Sequence, residues 1–187
     1  MSAKVLASKT LYSGKFMSMK LLEYNNGDGK TRFWETVDRD GNGSAAVIIA
    51  KIVPDNEILL VKQFRPPANK FMLEFPAGLI DPGEGPEVTA HRELLEETGY
   101  QGKIISITKP GYSSPGLTGE AVTLVTMEID GEFYKNNTPQ SAPEECERIE
   151  VFRVKLDELE DFITSQEALN VGIDSKLYTF VISRRIF

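Results

Sequence analysis

Residues Gly78 to Tyr100, GLIDPGEGPEVTAHRELLEETGY, contain a helix with its start, its stop and one charged face written out. Pro86 suits the first helical position, Glu87 favours the positive N-terminal end, and Gly99 suits a left-handed stop. Within those limits Glu93, Glu96 and Glu97 stand at i, i+3 and i+4, so they fall within one narrow arc of the helix. Like charges at that spacing repel by a few tenths of a kcal/mol per pair in an isolated helix, so something must offset them. Arg92, four residues before Glu96, can neutralise and orient that carboxylate. Glu93 and Glu97, one turn apart, make a hard-oxygen site suited to Mg²⁺ or Mn²⁺. Mg²⁺ takes one or two carboxylates and completes its shell with waters and substrate phosphates, so the pair implies a phosphate-bearing ligand. Three glutamates alone would read as a solvated acidic face. The framework of Gly78, Glu84, Arg92 and Gly99 around them changes that reading.

Outward from this helix the chain reads mostly as strands. Upstream, Ser44 to Val53 is an Ala/Val/Ile run typical of a strand buried on both faces, and Glu57 to Phe64 follows it through the turn at Pro54-Asp55-Asn56. Phe71 to Ala77 is expected to be extended, and Ala121 to Ile129 is a further strand rich in β-branched residues. Leu156 to Ser165 and Ser175 to Arg185 have helical spacing and are expected to cover the sheet. Near the N-terminus, Lys15 to Tyr24 and Thr31 to Arg39 form a hairpin around Asn25-Asn26-Gly27-Asp28-Gly29. A hairpin alone is marginal, so it must pack on the rest of the chain or on a second subunit. Gly41-Asn42-Gly43 punctuates the chain, which divides it into an N-terminal β subdomain, 1–43, and a second domain, 44–187. Helices interleaved with strands over one core predict an α/β layered sandwich with a mixed sheet.

Composition narrows the function classes. The 187 residues are 41% hydrophobic and 26% charged, a globular balance. With 21 Lys+Arg against 28 Asp+Glu the net charge is −7, which argues against binding nucleic-acid phosphates. The one cysteine, Cys146, excludes an internal disulfide, and the one histidine, His91, excludes His-rich zinc sites. No apolar stretch approaches the ~20 residues of a membrane span, and Met1-Ser2-Ala3-Lys4 opens no secretory leader. A protein of the reducing cytoplasm is expected.

The framework around the glutamates resembles the Nudix box: Gly, five residues, Glu, seven residues, Arg-Glu, an aliphatic residue, any residue, Glu-Glu, any residue, Gly, and an aliphatic or aromatic residue. Gly78, Glu84, Arg92, Glu93, Leu94, Glu96, Glu97, Gly99 and Tyr100 fill every specified position. A box kept only for folding would predict a lost glutamate, and none is lost. The resemblance implies a Nudix α/β/α sandwich and metal-dependent hydrolysis of a nucleoside diphosphate linked to another moiety. Gln63-Phe64-Arg65-Pro66-Pro67, Glu74-Phe75-Pro76-Ala77-Gly78, Ser114-Pro115-Gly116-Leu117-Thr118 and Trp34-Glu35 look like the ADP-ribose or ADP-sugar pyrophosphatase branch.

That branch implies roles for single residues. Glu93 and Glu97 hold Mg²⁺, with Mn²⁺ as an alternative and the Ala77 carbonyl as a further ligand. Glu96 joins them or partners Arg92, and Glu84 braces the site from behind. A glutamate of the loop Ser141-Ala142-Pro143-Glu144-Glu145-Cys146-Glu147 is the base; Glu147 aligns best, with Glu144 and Glu145 open. Arg65 offers its forked guanidinium to the pyrophosphate or terminal ribose, and Leu79 and Gly116 are further substrate contacts by resemblance. Trp34 stacks on adenine, Phe16 from the partner subunit closes the sandwich, and Glu35 and Arg39 read the base edge. This arrangement implies a homodimer with exchanged N-terminal hairpins. Two other readings compete: a Nudix hydrolase of another nucleotide, such as a dinucleoside polyphosphate or a different nucleoside-diphosphate sugar, and a Nudix module that binds ADP-ribose without cleaving it.

Overall fold

The computed structural model describes residues 2–39, 43–143 and 148–186. The chain begins with three antiparallel strands, β1 (Lys4–Ser13), β2 (Met17–Asn25) and β3 (Thr31–Arg39), in that order across a separate sheet. The β2–β3 turn is built as the Asn/Gly/Asp stretch predicts. The Asn25 side chain accepts from the Gly27 N–H at 2.6 Å, and Asp28 pairs with Arg32 at 2.7 Å. The expected hairpin has a third strand, β1, added on its outer edge. All ten residues of β1 are exposed. Without a buried face there is no period-2 burial pattern for a sequence reading to detect.

The rest of the chain builds one sheet with helices on both sides. Its elements are β4 (Ser44–Val53), β5 (Glu57–Arg65), β6 (Lys70–Glu74), β7 (Ala77–Leu79), α1 (Pro86–Thr98), β8 (Lys103–Ile107), β9 (Gly111–Tyr112), β10 (Ala121–Asp130), α2 (Gly131–Tyr134), β11 (Glu150–Lys155), α3 (Leu159–Ala168), β12 (Gly172–Ile173) and α4 (Ser175–Ile186). The nine strands run β12-β6-β5-β4-β10-β8, with β11 beside β5, β7 beside β4 and β9 beside β10. Pairing is parallel in β4·β10 and β6·β12 and antiparallel elsewhere, so the sheet is mixed.

Strand alternation sorts the core into two layers. Ala46, Ile48, Ala50 and Ile52 of β4 pack with Ala90 and Leu94 of α1 and with Val125, Met127 and Ile129 of β10. Val47 joins Ile58, Leu60 and Leu73 under Leu159 and Ile163 of α3 and Leu177 and Val181 of α4. A strand buried on both faces with a helix layer on each side is the α/β/α sandwich expected from the sequence.

Two expected boundaries moved and one strand was not foreseen. The extended segment at Phe71 to Ala77 is two strands, because the chain leaves β6 at Phe75-Pro76 before pairing with β4. The helix expected over Leu156 to Ser165 starts at Leu159. Leu156 instead donates its N–H to the Asn56 carbonyl at 3.0 Å, and Leu156 to Glu158 turn. Strand β11 went unassigned in the sequence because only Val154 of its six residues is fully buried. Among the described residues no helix is long and apolar enough to cross a membrane.

Candidate active site

Helix α1 and strand β7 make the site between them. Gly85 caps α1, Pro86 fills its first position, and Gly99 stops it at φ +75°, with its N–H on the Leu95 carbonyl at 2.8 Å. Strand β7 pairs with β4 through Ala77, Gly78 and Leu79, which sets it against the glutamate-bearing side of α1. Glu93 lies directly over Gly78. A Cβ at position 78 would overlap the Glu93 carboxylate, so only glycine leaves that side chain room. Glu97 is buried, 2% exposed, and accepts the Ala77 N–H at 3.1 Å.

Arg92 organises the remaining carboxylates. Its Nη1 donates to Glu93 at 2.7 Å and to Glu96 at 3.2 Å. Its Nη2 donates to Glu84 and to the Leu79 carbonyl, both at 3.2 Å, with Asp81 at 3.8 Å. Partial burial works against the arginine's charge, but the hydrogen bonds and charges of Glu84, Glu93 and Glu96 outweigh it and hold its pKa above the ordinary value. Glu84 has a second donor, the Thr89 hydroxyl at 2.9 Å. Thr89, then Arg92, hold the Glu84 carboxyl below its usual range. The expected Arg92–Glu96 pair is therefore one spoke of a wider hub.

The donor set fits a hard divalent cation. Carboxylate oxygens of Glu93, Glu96 and Glu97 line one helix face beside the Ala77 main chain. Among the described residues no three acidic, histidine or cysteine side chains already converge as a ready-made cage. An ion that keeps several waters needs only one or two of these carboxylates, so the fit does not depend on such a cage.

Other expected site residues lie on β3 and the loop before β10. The Trp34 indole donates to the Gly116 carbonyl at 3.0 Å, and its ring, 49% exposed, meets Tyr24 edge-on at 6.4 Å. Arg39 reaches Glu120 at 3.7 Å. Strand alternation sends Glu35 and Arg39 to the face opposite Trp34. Phe16 is not beside Trp34. It sits in the β1–β2 turn, 65% exposed, with the Lys15 ammonium 4.9 Å from its ring centre. Met17 pairs with Arg39 and Leu22 with Trp34, so Phe16 and Trp34 are about 20 Å apart along the sheet. Arg65, at the end of β5, gives both Nε (2.9 Å) and Nη2 (2.8 Å) to Glu74 on β6.

Glu144, Glu145, Cys146 and Glu147 lie outside the described residues. The segment leading to them is anchored on α1: Ala142 donates its N–H to the Glu96 carbonyl at 2.8 Å. Two polar residues of this region escaped the sequence reading, Thr89 (0% exposed) and Thr36 (8% exposed). Neither fills a specified position of a motif, and their partners Glu84 and Leu117 become neighbours only through folding.

The family profile described as NUDIX domain matches residues 42–171. The chain is 37% identical over 171 residues to the ADP-ribose pyrophosphatase of Saccharomyces cerevisiae, covering 87% of this chain and 74% of that protein. It is 35% identical over 187 residues to the ADP-sugar pyrophosphatase of Mus musculus, covering 94% and 84%. A crystal structure described as an ADP compounds hydrolase shares the fold, with a TM-score of 0.68 at 21% identity, over 88% of this chain and 84% of that one.

Proposed function

The chain belongs to the Nudix family, and from that membership we propose that it hydrolyses the pyrophosphate of ADP-ribose or a related ADP-sugar to AMP and a sugar phosphate. One observation carries the reading: the box is intact as geometry as well as sequence, with Glu93 seated over Gly78 and Glu97 on the Ala77 N–H. A protein that only binds its ligand has no need to keep that arrangement.

Glu93 and Glu97, with the Ala77 carbonyl, would hold Mg²⁺ or Mn²⁺, with Glu96 either a further ligand or the partner of Arg92. The bound ion supplies Lewis-acid neutralisation of the charge that develops on the phosphates. Arg92 keeps the carboxylates separated and aimed, with Glu84 behind it. Arg65 turns part of its guanidinium from Glu74 to the pyrophosphate, and Leu79 and Gly116 border the substrate. Glu147 takes the proton of the attacking water.

Residues 1–43 form an adenine-contacting and dimerising subdomain, and 44–187 the hydrolase domain. Trp34 stacks on adenine, while Glu35 and Arg39, on the opposite face of β3, read the base edge of the adenine held by another copy. The ~20 Å between Phe16 and Trp34 means that one chain cannot sandwich a single base between them. The second aromatic face therefore comes from the Phe16 of another copy. Exposed Val5, Leu6, Leu11, Tyr12 and Phe33, spread over both faces of the N-terminal sheet, supply apolar side chains for that copy to cover. We propose a homodimer working in the reducing cytoplasm. Light scattering at micromolar concentration should return twice the 20.8 kDa chain mass; a monomer ends the partner-aromatic assignment.

The activity is tested by AMP release from ADP-ribose with Mg²⁺, beside ADP-glucose, diadenosine polyphosphates and a Glu97→Gln variant. Rapid AMP release from ADP-ribose, reduced at least about 100-fold in the variant, is expected. Preference for a dinucleoside polyphosphate moves the protein to another branch of the family. Tight ADP-ribose binding without turnover makes it a sensor.

A further inference from the structure

The parallel pairing of β4 with β10, which starts at Ser44 and Ala121, has a continuation upstream of both strands. Gly43 accepts the Ala121 N–H at 3.2 Å, and Arg39 meets Glu120 at 3.7 Å. Val37 donates its N–H to the Leu117 carbonyl at 3.1 Å, and the Thr36 hydroxyl donates to the same oxygen at 2.9 Å. The Trp34 indole takes the Gly116 carbonyl at 3.0 Å. The edge of the N-terminal sheet is thus stitched onto the loop that leads into β10. The loop needs that support: residues 111–117 are all exposed. Its internal bonds, from Leu117 and Thr118 to the Ser114 carbonyl (2.9 and 3.0 Å), shape the bend without attaching it to anything. Both carbonyls at the tip of the bend point into β3.

We propose that β3 and the loop Ser113–Glu120 form one preassembled wall of the nucleoside site, in which Trp34 and Thr36 are positioning residues that hold the main chain of Gly116 and Leu117. The inference rests on the nucleotide-hydrolase reading above and adds a second duty to Trp34. An indole tied at its nitrogen and set at 80° to the Tyr24 ring keeps one orientation while half of the residue stays exposed, so little orientational freedom remains to be lost when a base stacks on it. Thr36 touches no ligand. Its hydroxyl, 8% exposed with the residue, acts on the site only through Leu117. Binding and loop order are consequently linked. A loop loosened from β3 must be ordered again by substrate, and the cost appears in KM, while the carboxylate cluster on α1 and its kcat are left alone.

Three variants separate this from simple destabilisation. Thr36→Val keeps the shape and deletes the hydroxyl, Thr36→Ser keeps the hydroxyl, and Trp34→Phe keeps an aromatic face and deletes the indole N–H. Hydrogen exchange of the ligand-free protein is read at residues 113–120, beside KM and kcat for ADP-ribose. Thr36→Val and Trp34→Phe should each speed exchange in that loop and raise KM by about three- to tenfold, with kcat within about twofold. Thr36→Ser should restore both readouts. Unchanged loop exchange in Thr36→Val and Trp34→Phe overturns the proposal. So does faster exchange spread equally through β10, or a loss in kcat at constant KM. If the unaltered protein leaves ADP-ribose intact, the functional reading fails, and the loop-exchange comparison still decides whether β3 holds the loop.

Discussion

Glu93 sits where a side chain at position 78 would be, so the glycine and the ion pairs of Arg92 place that carboxylate together. The carboxylate rests on the β7 backbone because nothing projects from Gly78, while Arg92 draws one of its oxygens from the other side at 2.7 Å. Arg92 in turn is aimed by Glu84, whose carboxylate is shared between the arginine and Thr89. Thr89 is buried, so its hydroxyl has little access to water as an alternative partner. Thr89→Val should therefore weaken Mn²⁺ binding by roughly tenfold, the lower range for groups that orient metal ligands. Titration of the Mn²⁺ electron-spin resonance signal measures this without turnover. Thr89→Ser should bind as the unaltered protein does, and equal Mn²⁺ affinity in the valine variant removes Thr89 from the chain of orientation. The glutamates, Arg92 and Gly78 were legible because their spacing is a pattern along the chain. Thr89 was not, since a threonine in a helix is unremarkable until Glu84 is folded back onto it.

At the scale of elements, the end of α1 joins two constraints at one residue. Gly99 has φ +75°, which favours glycine and tolerates asparagine. A Cβ there would also overlap the main chain of Pro139 and Gln140, the segment whose Ala142 is tied to the Glu96 carbonyl. Backbone conformation alone would let Gly99→Asn recover most of what Gly99→Ala loses. Steric exclusion predicts that asparagine fails nearly as badly as alanine, each by about 2 kcal/mol or more. Urea denaturation of both variants decides it: a stable asparagine variant would show that only the helix stop matters. The sequence announces the stop, since glycine after a periodic run is a stop signal. The docking of residues 139–142 over it joins segments some forty residues apart, and no local pattern records that.

Over the whole molecule, the α/β/α layers leave the N-terminal sheet attached along β3 while β1 stands fully exposed. That asymmetry is the reason to expect a second copy. Charge follows another rule. Asp28, Glu84 and Glu160 all have their pKa lowered from the ordinary values of 3.8 and 4.5. Hydrogen bonds lead in each case, from Arg32 to Asp28, from Thr89 and then Arg92 to Glu84, and from Arg185 to Glu160. Groups with depressed folded-state values bind fewer protons in the folded than in the unfolded chain. Their contribution is complete above about pH 5 and is lost as pH falls through the unfolded values toward the folded ones. Thermal unfolding should show Tm level near neutrality and falling below about pH 5. The fall should be shallower in Glu160→Gln, which removes the α3–α4 pair with Arg185. An identical acid limb in that variant would remove this pair from the account.

The sequence by itself determined the family, the two-faced burial of β4 and the glutamate face of α1, because each is periodic or spaced along one short segment. It also announced the start and stop of α1 and the turn between β2 and β3, where proline, glycine and asparagine act on their own backbone. Tertiary structure decided the partners: Thr89 with Glu84, the Gly116 and Leu117 carbonyls with β3, Arg65 with Glu74, and the separation of Phe16 from Trp34. A hydrogen bond between distant residues depends on where two elements come to rest, and that position is set by packing across the sheet rather than by either segment alone.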